Sequence, residues 1–170
     1  MLALLQAAAV AAPALPALPL VVEEETLENG IRVAAVHVPD SSLVAVQVRV
    51  SGGAADEAPG ESGYAHLLEH LMFGGSAHAR NGSYDTWLAE VGAENNAWTE
   101  HDSTTYSVTA PAEAVELVLF LESDRLGWLA GGMDAEKLRN QIEVVAAEAA
   151  GDAAAPHGRD LAALNAAVFP

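Results

Sequence analysis

The order of strand-like and helix-like segments restricts the fold of this chain more than any other feature of its sequence. Residues 21–38 contain two β-rich runs around Asn29-Gly30, a pair that favours a hairpin turn. Residues 43–50, "LVAVQVRV", alternate as a half-buried strand should. A helix-like segment at 63–73 follows, then β-like residues at 94–110, and then helical periodicity in the rest of the chain. Because strands and helices do not alternate regularly, we predict an α+β fold with helices packed on one face of a mainly antiparallel sheet.

Capping signals set the predicted boundaries of the later helices. Ser83 can cap a short helix that runs to Val91, and Asp134 can cap a long helix that ends at Gly151. Short polar side chains are favoured at this position because they accept hydrogen bonds from backbone N–H groups that the first turn of a helix leaves free. A further helical stretch is predicted up to Val168.

The composition excludes several classes of function. The chain has 170 residues, enough for one domain with its own core, and a formal net charge of −17 with only seven Lys and Arg. Such a chain cannot build the large basic face that binds nucleic acid, and strong association with an anionic membrane is disfavoured for the same reason. It has no cysteine. Any bound metal must therefore be held by His, Asp or Glu.

Residues 1–22 are apolar and rich in alanine, and Pro13, Pro16 and Pro19 would interrupt a membrane-spanning helix. We predict that 1–22 is a secretory signal peptide, even without the usual basic start, and that 23–170 form the folded domain. The alternative is a disordered Ala/Pro leader. A signal peptide implies export to the periplasm or exterior of a bacterium, whereas its absence implies a cytoplasmic protein.

His66, Glu69 and His70 stand together in the apolar run "AHLLEHLMFGG". Helix positions i and i+4 share one face, so the two imidazoles can bind one metal ion with Glu69 on the same side. The spacing is H-x-x-E-H, the inverse of the H-E-x-x-H pattern of zinc peptidases. The competing interpretation is incidental polar residues on a core helix. Leu67 and Leu68 are expected to pack the helix inward, opposite the three polar residues.

A catalytic zinc takes three protein ligands and leaves a position for water, so a third ligand must come from elsewhere. The last long helix offers Glu136, Glu143 and Glu148. At about 100° per residue, Glu143 lies roughly 140° and Glu136 about 120° away from Glu148, so Glu148 cannot share a site with either of them. The helix geometry alone leaves the choice among them open.

The sequence after the leader resembles the pitrilysin/insulinase family of zinc metallopeptidases, the inverzincins, which include the mitochondrial processing peptidases. The resemblance rests on blocks in the family's order: TLENGIRV, SGGAADEAPGESGYAHLLEHLMFGGS, ENNAWTEHDSTTY, LFLESDRLGWL and QIEVVAAEAAGD. It implies a zinc-dependent endopeptidase for small or unfolded peptides. One Zn²⁺ would activate a water, and Glu69 would take the proton of that water as general base.

The resemblance also implies roles for further residues. The family's third ligand closes a V-V-x-x-E segment, which here ends at Glu148. Gln141 lies two turns earlier on the same helix face, where an outer-shell role is expected, although many family members carry glutamate there. Asn96, Ala97 and Thr99 match a strand that adds an extended peptide along its edge. The competing interpretation of these three residues is an ordinary sheet strand.

The resemblance finally implies a partner. Family enzymes pair homologous domains, and the second domain or partner subunit supplies Arg and Tyr residues that help to bind the peptide. The chain ends at "NAAVFP", where the family continues, so we expect an N-terminal catalytic domain that is incomplete at its C-terminus. The main alternative is a non-catalytic peptide-binding or scaffold subunit of a paired metallopeptidase complex. A zinc-dependent hydrolase with a non-peptide substrate is a further alternative.

Overall fold

A computed structural model describes residues 20–80 and 82–168 of the chain. The predicted leader, residues 1–22, therefore lies outside the described residues except at its end. The chain divides into two units, Met1–Ser41 and Ser42–Pro170. Within the described ranges, no helix combines the length and the apolar character needed to cross a membrane.

The first unit contains the predicted hairpin. β1 (Val22–Thr26) and β2 (Arg32–Val36) pair in antiparallel fashion. Gly30 has a left-handed backbone, with φ 88°, and its N–H donates to the carbonyl of Leu27 at 2.9 Å, which closes the turn. Glycine adopts this conformation without the steric cost that a Cβ brings, and this is the physical basis of the Asn-Gly turn signal.

The second unit is built on a three-stranded antiparallel sheet of β3 (Leu43–Val50), β4 (Glu94–Thr99) and β5 (Thr104–Pro111). The strand order is β3-β5-β4, so β5 is central and β4 lies at an edge. β4 and β5 are joined by a short connection in which the N–H of Glu100 donates to the carbonyl of Ser103 at 2.8 Å. All three strands lie where the β-like composition predicts them.

The described part of the second unit also contains α-helices and two short 3₁₀ turns. The helices are α1 (Tyr64–Leu71), α2 (Ser83–Glu90), α3 (Val115–Gly132), α4 (Ala135–Ala154) and α5 (Gly158–Val168). The 3₁₀ turns are Ala54–Asp56 and Ala112–Ala114. Asp134 caps α4 as predicted, since its carboxylate accepts hydrogen bonds from the N–H groups of Glu136 and Lys137 at 2.9 Å.

The core lies between one face of the sheet and the helices. Val108 and Ala110 of β5 meet Leu88 of α2 and Val118 and Leu121 of α3, and none of the five is more than 1% exposed. Alternation along β5 puts its two residues on the same side, because successive side chains of a strand point to opposite faces. The prediction of an α+β fold with helices on one face of an antiparallel sheet is confirmed.

A buried ion pair lies beside this core. Arg125 of α3 is 2% exposed, and its Nε and Nη2 donate to the carboxylate of Glu122 at 2.6 to 3.0 Å. Its guanidinium carbon lies 4.4, 4.8 and 5.4 Å from the ring centres of Tyr106, Tyr84 and Phe73. Tyr84 donates its hydroxyl proton to Glu122 at 2.9 Å. Burial raises the pKa of Tyr84 above its ordinary value, which keeps this donor protonated.

A second buried carboxylate holds the segment that follows α1. Asp124 of α3 is 2% exposed and accepts hydrogen bonds from the hydroxyl of Ser76 and from the backbone N–H groups of His78 and Ala79. It also contacts Nδ1 of His78 at 2.5 Å. Burial alone would raise the pKa of Asp124, but these hydrogen bonds outweigh burial and hold the pKa below its ordinary value of 3.8.

Two predicted helix boundaries are wrong. Ser83 is the first residue of α2 rather than its cap, and its hydroxyl donates to the carbonyl of Arg80 at 2.6 Å instead of accepting from the helix. α4 passes through Gly151 and ends at Ala154. A glycine inside a helix costs only about 1 kcal/mol relative to alanine, so the residues that follow can carry the helix past it.

Candidate metal centre

The loop before α1 fixes the start of the helix that carries the H-x-x-E-H motif. Gly63 precedes the helix with a left-handed backbone, φ 96°. The carboxylate of Glu57 accepts hydrogen bonds from the N–H groups of Gly63 and Ala65 at 2.9 and 2.8 Å. These donors have no partner inside the helix, and a negative charge beside them also interacts favourably with the helix dipole. Glu57 thus supplies the cap that glycine lacks.

α1 turns its glutamate toward the sheet. Glu69 is 9% exposed and is the buried residue of the helix, whereas Leu68 is 48% exposed. The expectation that Leu67 and Leu68 together pack the helix inward is therefore wrong for Leu68. The hydroxyl of Thr99 on β4 donates to Oε2 of Glu69 at 2.6 Å. This hydrogen bond accounts for a carboxylate on the inward face, because a buried charge needs a hydrogen-bond partner.

Three potential metal ligands meet where α4 approaches α1. His66 and His70 lie one turn apart, with their Nε2 atoms separated by 3.1 Å. Oε2 of Glu148 on α4 lies 3.7 Å from Nε2 of His66 and 3.3 Å from Nε2 of His70. Within residues 20–80 and 82–168, these three side chains form the one cluster of three or more His or carboxylate groups close enough to share an ion.

The donor set and its spacing fit a zinc ion. With zinc–ligand distances of about 2.0–2.1 Å, a tetrahedral ion holds two ligand atoms about 3.3 Å apart. The separations among His66, His70 and Glu148 run from 3.1 to 3.7 Å. Two imidazoles and a carboxylate are also a ligand set that catalytic zinc uses, with a fourth position left for water. The Glu148 side chain is 47% exposed, so solvent reaches the ligand cluster.

In the three-stranded sheet that the structure describes, the side of β4 opposite β5 presents backbone groups near Glu69. Residue pairs of an antiparallel ladder alternate between hydrogen-bonded and non-hydrogen-bonded, and Glu100 is hydrogen-bonded to Ser103. Counting back along β4, Thr99 and Ala97 fall at non-hydrogen-bonded positions, where the N–H and C=O groups point away from β5. Asn96 falls at a hydrogen-bonded position, so its backbone is committed to β5.

Two cavities share Glu69 and Ala97 in their linings. The first has a volume of about 520 Å³ and extends toward His66 and Thr99. The second has a volume of about 390 Å³ and is lined by Asn96 and Gln141, among other residues. The structure therefore brings the predicted outer-shell residue and the predicted substrate strand to the place where the H-x-x-E-H helix lies.

Residues 32–151 match the family described as Insulinase (Peptidase family M16). The chain belongs to this insulinase family. Among solved structures, it is similar to a protease from Helicobacter pylori, with a TM-score of 0.78 and 28% sequence identity over 82% of this chain and 33% of that chain. The resemblance that the sequence blocks indicate is thereby confirmed.

Two curated insulinase-family relatives give similar matches. "Zinc protease PqqE" of Helicobacter pylori is 30% identical over 127 residues, which are 74% of this chain and 28% of that protein. "Probable mitochondrial-processing peptidase subunit beta" of Schizosaccharomyces pombe is 34% identical over 104 residues, which are 61% of this chain and 23% of that protein. The chain thus spans less than a third of the length of either relative. Their names describe a zinc protease and a subunit of a processing peptidase.

Sequence reasoning missed two supporting side chains of the insulinase-family motif. One feature of the sequence could have identified Glu57 as a helix cap. Gly63 at the start of α1 has no side chain to cap the helix, so an acidic residue from elsewhere in the chain can take that role. No feature of the sequence could have identified the hydrogen bond from Thr99 to Glu69, because it joins two residues thirty positions apart on different elements. Thr99 appears among the predicted residues only for its place on the β4 strand.

Proposed function

We propose that this chain provides the zinc centre of an endopeptidase that acts on small or unfolded peptides. The observation that carries the proposal is the triad of His66, His70 and Glu148, with separations suited to one zinc ion. Glu69 lies in the same helix turn as the two histidines. Membership of the insulinase family supports peptide hydrolysis as the class of reaction.

Each residue of the site has a distinct task in this proposal. His66, His70 and Glu148 hold the ion, which when bound would supply Lewis acidity at the scissile carbonyl and lower the pKa of an attacking water. Glu69 accepts the proton of that water and transfers it to the departing amine nitrogen. Gln141 lines the second cavity, where its amide can hydrogen-bond to groups just outside the ligand set.

The peptide is proposed to bind as an added strand along β4. Ala97 and Thr99 offer outward-facing N–H and C=O groups to the peptide main chain, an interaction that is largely independent of the peptide's sequence. Asn96 also lines the second cavity, where it can contact the substrate. Strand addition requires an extended segment, and this is the reason that small or unfolded peptides are the proposed substrates.

The chain covers only part of the length of its relatives, which bears on whether it is proposed to be active alone. It spans 28% of the Helicobacter pylori zinc protease and 23% of the fission-yeast subunit. We therefore propose that full activity needs a homologous second domain or partner subunit that contributes Arg and Tyr to the bound peptide. A non-catalytic peptide-binding subunit is the alternative, and the presence of His66, Glu69 and His70 favours the enzyme. Export of the protein is a proposal that rests on residues 1–22 alone.

The test uses zinc-loaded protein and an unfolded fluorogenic peptide, with the chain alone and together with the proposed partner domain. Glu69→Gln should keep its zinc and lose hydrolysis by about 10²–10⁴-fold, because proton transfer is removed without removing a ligand. His70→Ala should lose both zinc and hydrolysis. Glu143→Gln, on another side of α4, is the matched control and should retain both.

Hydrolysis by Glu69→Gln at the wild-type rate contradicts the assignment of the general base. A wild-type protein that binds zinc and peptide, but cuts no peptide even with its partner domain, favours the scaffold subunit instead.

A further inference from the structure

The carboxylate proposed as general base is held by a single side-chain hydroxyl. Glu69 is 9% exposed, and among the described residues its carboxylate receives one hydrogen bond, from Thr99 to Oε2 at 2.6 Å. This distance lies in the range of charge-assisted O–H···O⁻ bonds, about 2.5–2.7 Å. We infer that Thr99 is a positioning residue, which fixes the orientation of Glu69 and leaves the other oxygen, Oε1, to accept the proton. The inference rests on the proposed function.

The carboxylate of Glu69 is the nearest acceptor for the hydroxyl proton of Thr99. A threonine hydroxyl has one proton to donate, and an ionised carboxylate can only accept. Thr99 also contacts the hydroxyl of Thr104 at 3.3 Å, and Thr104 donates to the carbonyl of Gly52 at 3.2 Å. Both contacts are longer than the bond to Glu69. The single proton of Thr104 goes to the carbonyl of Gly52, so the hydroxyl of Thr104 is a more distant and uncharged alternative acceptor for Thr99. The proton of Thr99 is therefore committed to Oε2.

The position of Thr99 is itself determined by its surroundings. Thr104, its partner across the strand pair, is 5% exposed. The N–H groups of Ala54 and Ala55 in the loop before α1 donate to the carbonyls of Glu100 and His101, just beyond Thr99, at 3.0 and 2.8 Å. The same loop caps α1 at its start. One loop therefore ties together the strand that donates the hydrogen bond and the helix that accepts it.

This assignment changes the predicted role of Thr99. Its side chain is occupied by the base and is not available to a substrate side chain. Its backbone N–H and C=O still face the side of β4 opposite β5, so a peptide can pair with the main chain while the hydroxyl holds Glu69. A displacement of a reacting group by about 1 Å can cost roughly a hundredfold in rate, which sets the scale of the expected effect.

The first test measures the hydrogen bond without any catalytic readout. A double-mutant cycle compares the melting temperatures of metal-free wild type, Thr99→Val, Glu69→Leu and the double variant. If the bond exists, the two changes are not additive, and the coupling is about 3 °C in Tm, the shift expected for one hydrogen bond in a chain of this size. Thr109→Val, on the exposed side of β5, is the matched control and should add to Glu69→Leu without coupling. Additive shifts for Thr99→Val overturn the inference.

The second test measures catalysis in the zinc-loaded protein with its partner domain. Thr99→Val should lower kcat by ten- to a hundredfold with KM and zinc content unchanged, and Thr99→Ser, which keeps the hydroxyl, should recover most of the rate. An unimpaired Thr99→Val enzyme overturns the role of Thr99 and leaves the proposed function standing. Absence of zinc-dependent hydrolysis by the wild type overturns the proposed function and, with it, the role of Thr99 in positioning a general base.

Discussion

Replacement of Arg125 by methionine removes the positive charge from the buried ion pair with Glu122. Methionine keeps an unbranched apolar stem of similar length, so the change leaves most of the packing and deletes the guanidinium. Glu122, which is 4% exposed, is then left without its cationic partner, and within the described part of the chain the hydroxyl of Tyr84 is its remaining hydrogen-bond donor. The rings of Tyr106 and Phe73 lose the cation that they face.

The expected loss of stability is large compared with the total free energy of unfolding. Removal of one partner of a buried ion pair costs about 3–5 kcal/mol, because the other charge stays buried without compensation. Small proteins unfold with a free energy of only about 5–15 kcal/mol. For a chain of this length, 4 kcal/mol of destabilisation is expected to lower Tm by roughly 10 °C, at about 2–4 °C per kcal/mol.

Urea unfolding followed by far-ultraviolet circular dichroism measures this free energy. Arg139→Met, at an exposed position of α4, is the matched control and should stay within about 0.5 kcal/mol of wild type. Addition of Glu122→Gln to Arg125→Met should recover part of the loss, since it removes the uncompensated charge. A loss below about 1 kcal/mol for Arg125→Met, or a double variant no more stable than the single one, would refute the reasoning.

Two further predictions concern the supports of the site. Gly53→Ala should destabilise the protein by about 1–3 kcal/mol, because its Cβ would lie 2.6 Å from the His101 carbonyl oxygen and 2.7 Å from the Ser103 nitrogen. Gly127→Ala, whose Cβ meets nothing within 4 Å, should be neutral or stabilising, and a Tm comparison separates the two. Asp124→Asn should destabilise by about 1–3 kcal/mol at neutral pH, where the buried carboxylate accepts its hydrogen bonds. Because the folded-state pKa of Asp124 is lowered, its contribution is present above the unfolded value of 3.8 and is lost as pH falls through the folded value, so the wild-type and Asn proteins should converge in unfolding experiments in acid.

Local sequence signals predict the elements of this fold because they arise from neighbours along the chain. The Asn29-Gly30 turn, the alternation of β3 and the Asp134 cap are all properties of a few consecutive residues, and the structure has each of them. The spacing of His66 and His70 likewise follows from helix geometry alone. Glu148 needed the family resemblance, because helix geometry leaves three glutamates of α4 as candidates.

The contacts that orient the site could not be predicted in the same way. The hydrogen bond from Thr99 to Glu69 joins β4 to α1, and the guanidinium of Arg125 meets rings from separate elements. Contacts between residues that are far apart along the chain leave no periodic pattern in the sequence. The exposure of Leu68 has the same origin, since the partner on the sheet selects Glu69 for the inward face and the leucine is turned outward.

The central claim is that His66, His70 and Glu148 together hold one zinc ion. Its most direct test is a zinc titration of metal-free protein by competition with a chromophoric chelator, with bound metal counted by mass spectrometry. We expect one zinc per chain for wild type and for Glu143→Ala on the same helix, and loss of that zinc in Glu148→Ala. Equal zinc binding by Glu148→Ala and wild type, or no binding by wild type, would contradict it.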